Sequence, residues 1–362
     1  MRTADVAVLG GGPAGTATAL LLARGGARVV LYESSDYGRP RMGETLPPSV
    51  NPLLRELGVW DRFAALDSTP SYQTASAWGG GDVAARSFLF SPYGNGWHVD
   101  RARFDAMLAD AAADAGVHVL RGVRVHRIRR SQQDWRSEQG WRIEAEQPAQ
   151  VAVLVDATGR PARFACRLGA RRVRLDRLVC AAQVFTLPAG SPAGDTFIEA
   201  VCDGWWYASP LPGGQRLVAC FTDAGNAAST GLGTSAGWTT ALARTDHMRH
   251  LATESETGPI RVVTAASHHL RPCLGPGWLA VGDAALAVDP LSSGGVTFAL
   301  RSATTAAQAI LGGDPEQHTT MIDAAAAEYH RLRTEIYGWE TRFASTAFWQ
   351  GRTSMAAPRV SE

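Results

Sequence analysis

Three glycines, one acid and a row of aromatic rings are the residues whose spacing carries most chemistry. The glycines stand in "GGGPAG" as Gly10-x-Gly12-x-x-Gly15, with Pro13 and Ala14 between them. Before them, "ADVAVL" (4–9) is a short apolar run with valines, as in a buried parallel strand. After them, "TATALLLARGGA" predicts a small-residue helix ending at Gly25 and Gly26. "RVVLYE" then predicts a second strand ending at Glu33. Strand, glycine turn, helix, strand and acid form the dinucleotide fingerprint in its full context. The glycines let backbone approach a pyrophosphate, and the helix N-terminus attracts its charge. Glu33 is placed to accept hydrogen bonds from the adenosine ribose.

The aromatic row is "DGWWYASPLPGG" (203–214). On a strand, Trp205 and Tyr207 share one face and Trp206 takes the other. Either the two-ring face packs as core, or it borders a flat ring that is not protein. Groups able to act as acids or bases are His98 in "WHVDR" and one of the pair His268 and His269. A histidine titrates near neutral pH and suits proton transfer. Each of these histidines can equally be a structural hydrogen-bonding group.

Composition excludes several classes. The 362 residues are 45% hydrophobic and 19% charged, which gives ample core. A net charge of +1 advertises neither nucleic acid nor an anionic membrane. No apolar run is long enough to span a bilayer, and the N-terminus does not read as a secretory signal. The five cysteines are scattered without CxxC spacing. They are expected to be reduced in a cytoplasmic protein, with no metal site. All 35 basic residues counted as Lys plus Arg are arginine. No mechanism that needs a lysine amine can operate.

Further elements must position these groups. "WHVDRARFDAMLADAAADAG" (97–116) reads as a strand end and an amphipathic helix, with Arg101 at the junction. "VHVLRGVRVHRI" (117–128) reads as a strand pair. "VAVLVDATGRPARFACRLGA" (151–170) gives a strand and a "DATGR" turn. "GWLAVGDAALAVDPLSSGGVTFALRSATTAAQAI" (277–310) gives a strand, a "GDAA" turn, a "DPLSSGG" turn and a helix. "GLGTSAG" (231–237) follows no apolar strand and reads as a loop, so no second nucleotide fingerprint is present.

In this order and spacing, the N-terminal glycines, the "RxxFD" helix, the "DATGR" turn and the "GDAA…DP…GG" segment resemble FAD-dependent monooxygenases of the glutathione-reductase-like type. The resemblance covers nearly the whole chain. It implies an α/β fold: an interrupted Rossmann-like FAD domain (1–70, 98–165 and 270–312), an antiparallel β-sheet substrate domain (71–97 and 166–269) and a C-terminal helical segment (313–362). It implies FAD as cofactor. The cofactor would meet Gly10, Gly12, Pro13, Ala14, Gly15 and Glu33 at its pyrophosphate and adenosine, with Arg41 and Gly159 alongside. Arg101 would contact the phosphate or ribose region, Val125 backbone the adenine, and Asp283 the ribityl hydroxyls. Pro290, Gly294, Gly295 and Val296 would pass the flavin ring. There, backbone N–H groups and a helix N-terminus stabilise negative charge on reduced flavin.

"MGETLPPSVNPLLRELGVWDRF" (42–63) and the aromatic tail "EIYGWETRFASTAFWQGR" (335–352) resemble flavin-dependent halogenases and their relatives. Halogenases carry W-x-W-x-I-P on the strand facing the flavin. Here the run is Trp205-x-Tyr207-x-Ser209-Pro210, and the lysine that halogenases use is missing. The motifs look like the LodB-like flavoproteins that accompany tryptophylquinone enzymes. That resemblance implies aromatic hydroxylation through a flavin C4a-hydroperoxide, on a tryptophan in a partner protein or peptide. Electrons would come from NAD(P)H or a separate flavin reductase. Glu44, His98, Trp205, Tyr207 and His269 are the candidate substrate-side residues. A flavin dehydrogenase or reductase, a halogenase and a non-catalytic FAD-stabilised chaperone are the alternatives.

Overall fold

A computed structural model describes residues 2–131, 140–190, 194–252, 255–353 and 359–360. The last part of the expected C-terminal segment, 354–358 and 361–362, lies outside the described residues. The chain begins with strand β1 (Arg2–Leu9), helix α1 (Pro13–Arg24) and strand β2 (Val29–Glu33). β1 and β2 pair in parallel, and every residue of β2 is buried. That is why both read as unbroken apolar runs rather than as alternating ones. β3 (Thr45–Leu46) and β4 (Gly96–His98) pair antiparallel in a small sheet. α2 (Arg101–Asp114) follows, capped by Asp100, which accepts from the N–H groups of Ala102 and Arg103.

β5 (His118–Arg121) joins β2 in parallel, and β6 (Ala149–Asp156) joins β1 on its other side. The expected strand pair at 117–128 does not form. The second strand runs from Arg127 to Ser131 and pairs with Gly140–Glu144, which in turn pairs with β6. Gly122 has φ +72° and turns the chain out of β5.

The second sheet is built from β7 (Leu178–Thr186), β8 (Thr196–Val201), β9 (Gly204–Leu211), β10 (Gln215–Asp223) and β11 (Ser255–Thr264). Its order is β11-β7-β10-β9-β8, continued by Gln73–Ala77 and Ala84–Ser87. Between β10 and β11, "GLGTSAG" is a turn only at its start, since Ser235–Leu242 is helical with Thr234 as N-cap.

β12 (His268–Arg271) belongs to neither large sheet. It pairs with Arg171–Arg174 and with Leu286–Ala287. β13 (Trp278–Ala280) returns to the first sheet beside β6. Three helices close the chain: α3 (Gly295–Ile310), α4 (Pro315–Gly338) and α5 (Ala347–Thr353). α1 and α3 pack together on one face of the first sheet, in a core that includes Val6, Leu20, Leu31, Leu300 and Ala303. α4 reaches the second sheet, where Tyr337, Phe348 and Trp349 share a core with Trp205 and Phe221. No helix among the described residues is long and apolar enough to cross a membrane.

Candidate active site

The glycine turn lies at the C-terminal ends of β1 and β6, where a parallel sheet opens its crevice. Its glycines are not equivalent. A Cβ on Gly15 would overlap the Gly10 carbonyl and Ala157, and Gly10 itself has φ +116° against Ala157. These two let helix, strand and turn meet. A Cβ on Gly12 would touch no protein atom within 4 Å, and neither would one on Gly295. The free volume beside those two is cleft, not fold. α1 carries no acid in its first turn and no side-chain cap, so its N-terminus is open to an anion.

Two connected cavities of about 440 and 420 Å3 run past this turn. Gly12, Arg41, Ala157 and Gly159 line both. The first holds Gly10, Glu33, Arg124, Val125 and Pro161. Glu33 Oε2 accepts the Gly11 N–H at 2.7 Å, and Oε1 accepts the Ser35 N–H at 2.8 Å. Arg41 bridges the cavities, with Nη2 3.0 Å from Glu33 and Nη1 2.8 Å from Asp105.

The second cavity holds Pro13, Ala14, Arg101, Asp283, Pro290, Gly295 and Val296 on one side. Glu44, Thr45, Tyr207, Leu217, Ala219, Phe221 and Val263 line the other. Arg101 donates to the carbonyls of Met42 and Gly43, which ties the "GE" turn to α2. Enclosure pushes the Asp283 carboxyl above its usual range, and nearby Arg160 and Arg101 oppose that. Arg160 Nε lies 3.5 Å from Asp283, and its two Nη atoms donate to the carbonyls of Ala266 and Val288. This elongated groove fits FAD: an anion-ready helix end in the middle, the acid Glu33 at one end, and a more apolar chamber at the other.

The candidate substrate-side residues separate into two groups. Tyr207 and Glu44 meet: the phenol donates to Glu44 Oε1 at 2.7 Å. Burial, and then the Glu44 charge, push the Tyr207 hydroxyl far above its ordinary pKa, so it stays protonated. Trp205 and His269 stand elsewhere. Trp205 shares the face of Tyr207, yet it is fully buried and stacks on Phe221 at 3.9 Å between centroids. Its Nε1–H donates to Tyr337 on α4 at 3.0 Å. The C-terminal helices cover it, and Phe221 takes the cleft position instead. Trp206, on the opposite face, packs edge-on to Trp238. His269 lies on β12 and points to Asp323 of α4 at 3.2 Å, because β12 pairs outside both large sheets. His98 is fully buried one step behind the cleft, with Nδ1 3.2 Å from Thr45 Oγ1 and 3.1 Å from Ser209 Oγ. Burial pushes its pKa down to about 4, so the ring is neutral at physiological pH.

Phe221, Thr45 and Arg160 were not singled out by sequence reading. Phe221 sits in a recognisable strand, "QRLVACFTD", but only the register Trp205↔Phe221 brings it to the chamber. Thr45 follows Glu44 directly, and strand alternation alone would have sent it to the opposite face.

The Asp289–Gly295 turn is held from behind by α4. Tyr337 donates to Asp289 Oδ2 at 3.3 Å, and the Asp289 N–H donates to Tyr329 at 3.2 Å. Arg333 approaches Asp176 at 3.4 Å and Asp289 at 3.9 Å.

Residues 3–172 match the FAD binding domain family. The chain is 32% identical to the FAD-dependent oxidoreductase LodB of Marinomonas mediterranea, over 99% of both chains. Among solved structures it resembles the myxobacterial chondrochloren halogenase CndH, with TM-score 0.86, 25% identity, and 98% of this chain and 87% of that one covered. It also resembles QhpG, a peptidyl tryptophan dihydroxylase essential for tryptophylquinone cofactor biogenesis, with TM-score 0.79, 27% identity, and 98% and 80% covered. With its cleft and these relatives, the chain belongs to the LodB-like family of FAD-dependent oxidoreductases, and its cofactor is FAD.

Proposed function

We propose that this protein is an FAD-dependent monooxygenase that hydroxylates a tryptophan indole presented by a partner protein or peptide, with electrons from NAD(P)H or a separate flavin reductase. The observation that carries this reading is the chamber wall. Phe221, Leu217, Ala219 and Val263 give it apolar surface, Tyr207 and Glu44 give it one polar corner, and Gly295 opens α3 toward it. A flat aromatic ring packs well against such a wall, and apolar walls keep water away from a reactive oxygen donor. Reduced FAD, when bound, supplies the activated oxygen. The protein contributes binding, orientation and an N-terminal helix dipole at the flavin edge.

Halogenase relatives make halogenation the second reading. Flavin halogenases of this resemblance use a lysine, and this chain has none. The similarity to QhpG favours a peptidyl tryptophan as substrate.

The test is turnover of a tryptophan-containing peptide under labelled dioxygen, with a flavin reductase and NAD(P)H supplied and halide present. The expected product gains label from dioxygen and no halogen. A halogenated product, or an oxidised product without label, would overturn the monooxygenase reading.

A further inference from the structure

Glu44 ends a buried file of polar groups, and the file has a direction. Tyr207 Oη lies 2.7 Å from Glu44 and 2.6 Å from Thr45 Oγ1. Thr45 Oγ1 lies 3.0 Å from Ser209 Oγ, and His98 Nδ1 approaches both hydroxyls. His98 Nε2 is buried without a partner among the described residues. A buried N–H with no acceptor is the costlier arrangement, so the neutral ring carries its proton on Nδ1. With Nδ1–H donating, Ser209 is free to donate to the Pro210 carbonyl at 3.2 Å. Thr45 then donates to Tyr207, and Tyr207 donates to Glu44. At the Glu44 end of the file, Thr45 and Tyr207 donate in succession toward the cleft.

The opposite end of Glu44 is fixed too. Its Oε2 accepts the Gly43 N–H at 3.0 Å. Both oxygens are therefore acceptors, and each keeps a further lone pair. Among the described residues no guanidinium pairs with Glu44, and the wall it shares with Leu217, Ala219, Phe221 and Val263 is apolar. An acceptor enclosed in this way needs a donor from whatever fills the chamber.

We propose that Glu44 reads the ring N–H of the substrate, so that the chamber selects a heteroaromatic bearing N–H, indole or pyrrole, over a carbocyclic or N-alkylated ring. The inference rests on the aromatic-oxygenase reading and adds to it the group that recognises the ring. Glu44 touches the substrate; Tyr207, Thr45, Ser209 and His98 are positioning residues that hold it as an acceptor.

The test is equilibrium binding to the FAD-loaded protein, followed by the flavin difference spectrum and by calorimetry. The probes are N-acetyltryptophanamide and its 1-methylindole analogue. The wild type is expected to prefer the N–H compound by about tenfold or more, because the methylated ring leaves a buried acceptor unpaired. In Glu44→Ala the two affinities are expected to converge. Where that variant does not fold, Glu44→Gln keeps the shape, and its preference is expected to fall by at least half. Equal affinities in the wild type, or a preference that survives in the variants, would overturn the assignment to Glu44 and leave the aromatic reading standing. Binding of neither probe would overturn both.

Discussion

At the residue scale, two buried histidines set how the protein tolerates acid. Burial pushes His98 down to about 4 and His268 down to about 3, the latter helped by Arg172, Arg160 and Arg174. Both native pKa values lie below the unfolded value near 6.5. The unfolded chain therefore binds protons that the native state refuses. Stability is full above pH 6.5 and drains as pH falls toward 4. Each ring withdraws about 2 kcal/mol between pH 7 and pH 5. Thermal denaturation across that range should show a falling Tm, and His98→Asn should flatten the slope. An unchanged slope in that variant would show that His98 is not buried and neutral. The same residue marks a limit of sequence reading. His98 was visible as a titratable group near the cofactor segment, but its place behind Thr45 depends on the β3–β4 pairing of two very short strands. Nothing in a two-residue strand announces its register. Trp205 and Tyr207 share a face by simple alternation, but which of them meets the cleft is decided by α4, whose docking no local pattern encodes.

At the element scale, the ends of helices hold the groove together, and their glycines divide by role. β1, the glycine turn, α1 and β2 were legible because a buried parallel strand and a small-residue helix have strong local signatures. The late "GDAA" segment was legible for the same reason. The division between Gly15, which serves packing, and Gly295, which serves the cleft, depends on contacts far apart in sequence. It predicts opposite outcomes for the same substitution. Gly15→Ala should lower Tm and lose FAD together, because the added methyl overlaps backbone. Gly295→Ala should keep Tm within about 1 kcal/mol of stability, since it replaces glycine in a helix with a better helix former. It should nevertheless weaken flavin binding or turnover, read by retained 450 nm absorbance and by activity. A Gly295→Ala protein with normal flavin retention and rate would mean the flavin ring does not approach α3.

For the whole molecule, α4 acts as a clamp between two large sheets that share no strand among the described residues. Its Tyr337 joins Trp205 of the second sheet to Asp289 of the Asp289–Gly295 turn through one hydroxyl. Tyr337→Phe removes that hydroxyl and leaves a buried indole N–H and a buried carboxylate each short of a partner. A cost of about 1–3 kcal/mol is expected. Calorimetry should also show a weaker FAD-dependent rise in Tm than for the wild type, if the Asp289–Gly295 turn passes the flavin as proposed and loses its backing. Loss of stability with an unchanged FAD-dependent rise would confine Tyr337 to packing. The aromatic tail reads in sequence as helical, but the structure breaks it at 339–346, between α4 and α5. Its destination was not legible, because the contact between Tyr337 and Trp205 spans 132 residues.

The clamp also imposes an order on the life of the chain. Glu33 and Tyr337 are 304 positions apart, so at ribosomal speeds of about 5–20 residues per second they are made roughly 15–60 s apart. Throughout that interval the glycine segment has been made while the helix that backs the chamber has not. The groove therefore cannot reach its finished geometry before α4 has been made, and a nascent chain interrupted before α4 would carry a nucleotide-binding half with no chamber to close on it.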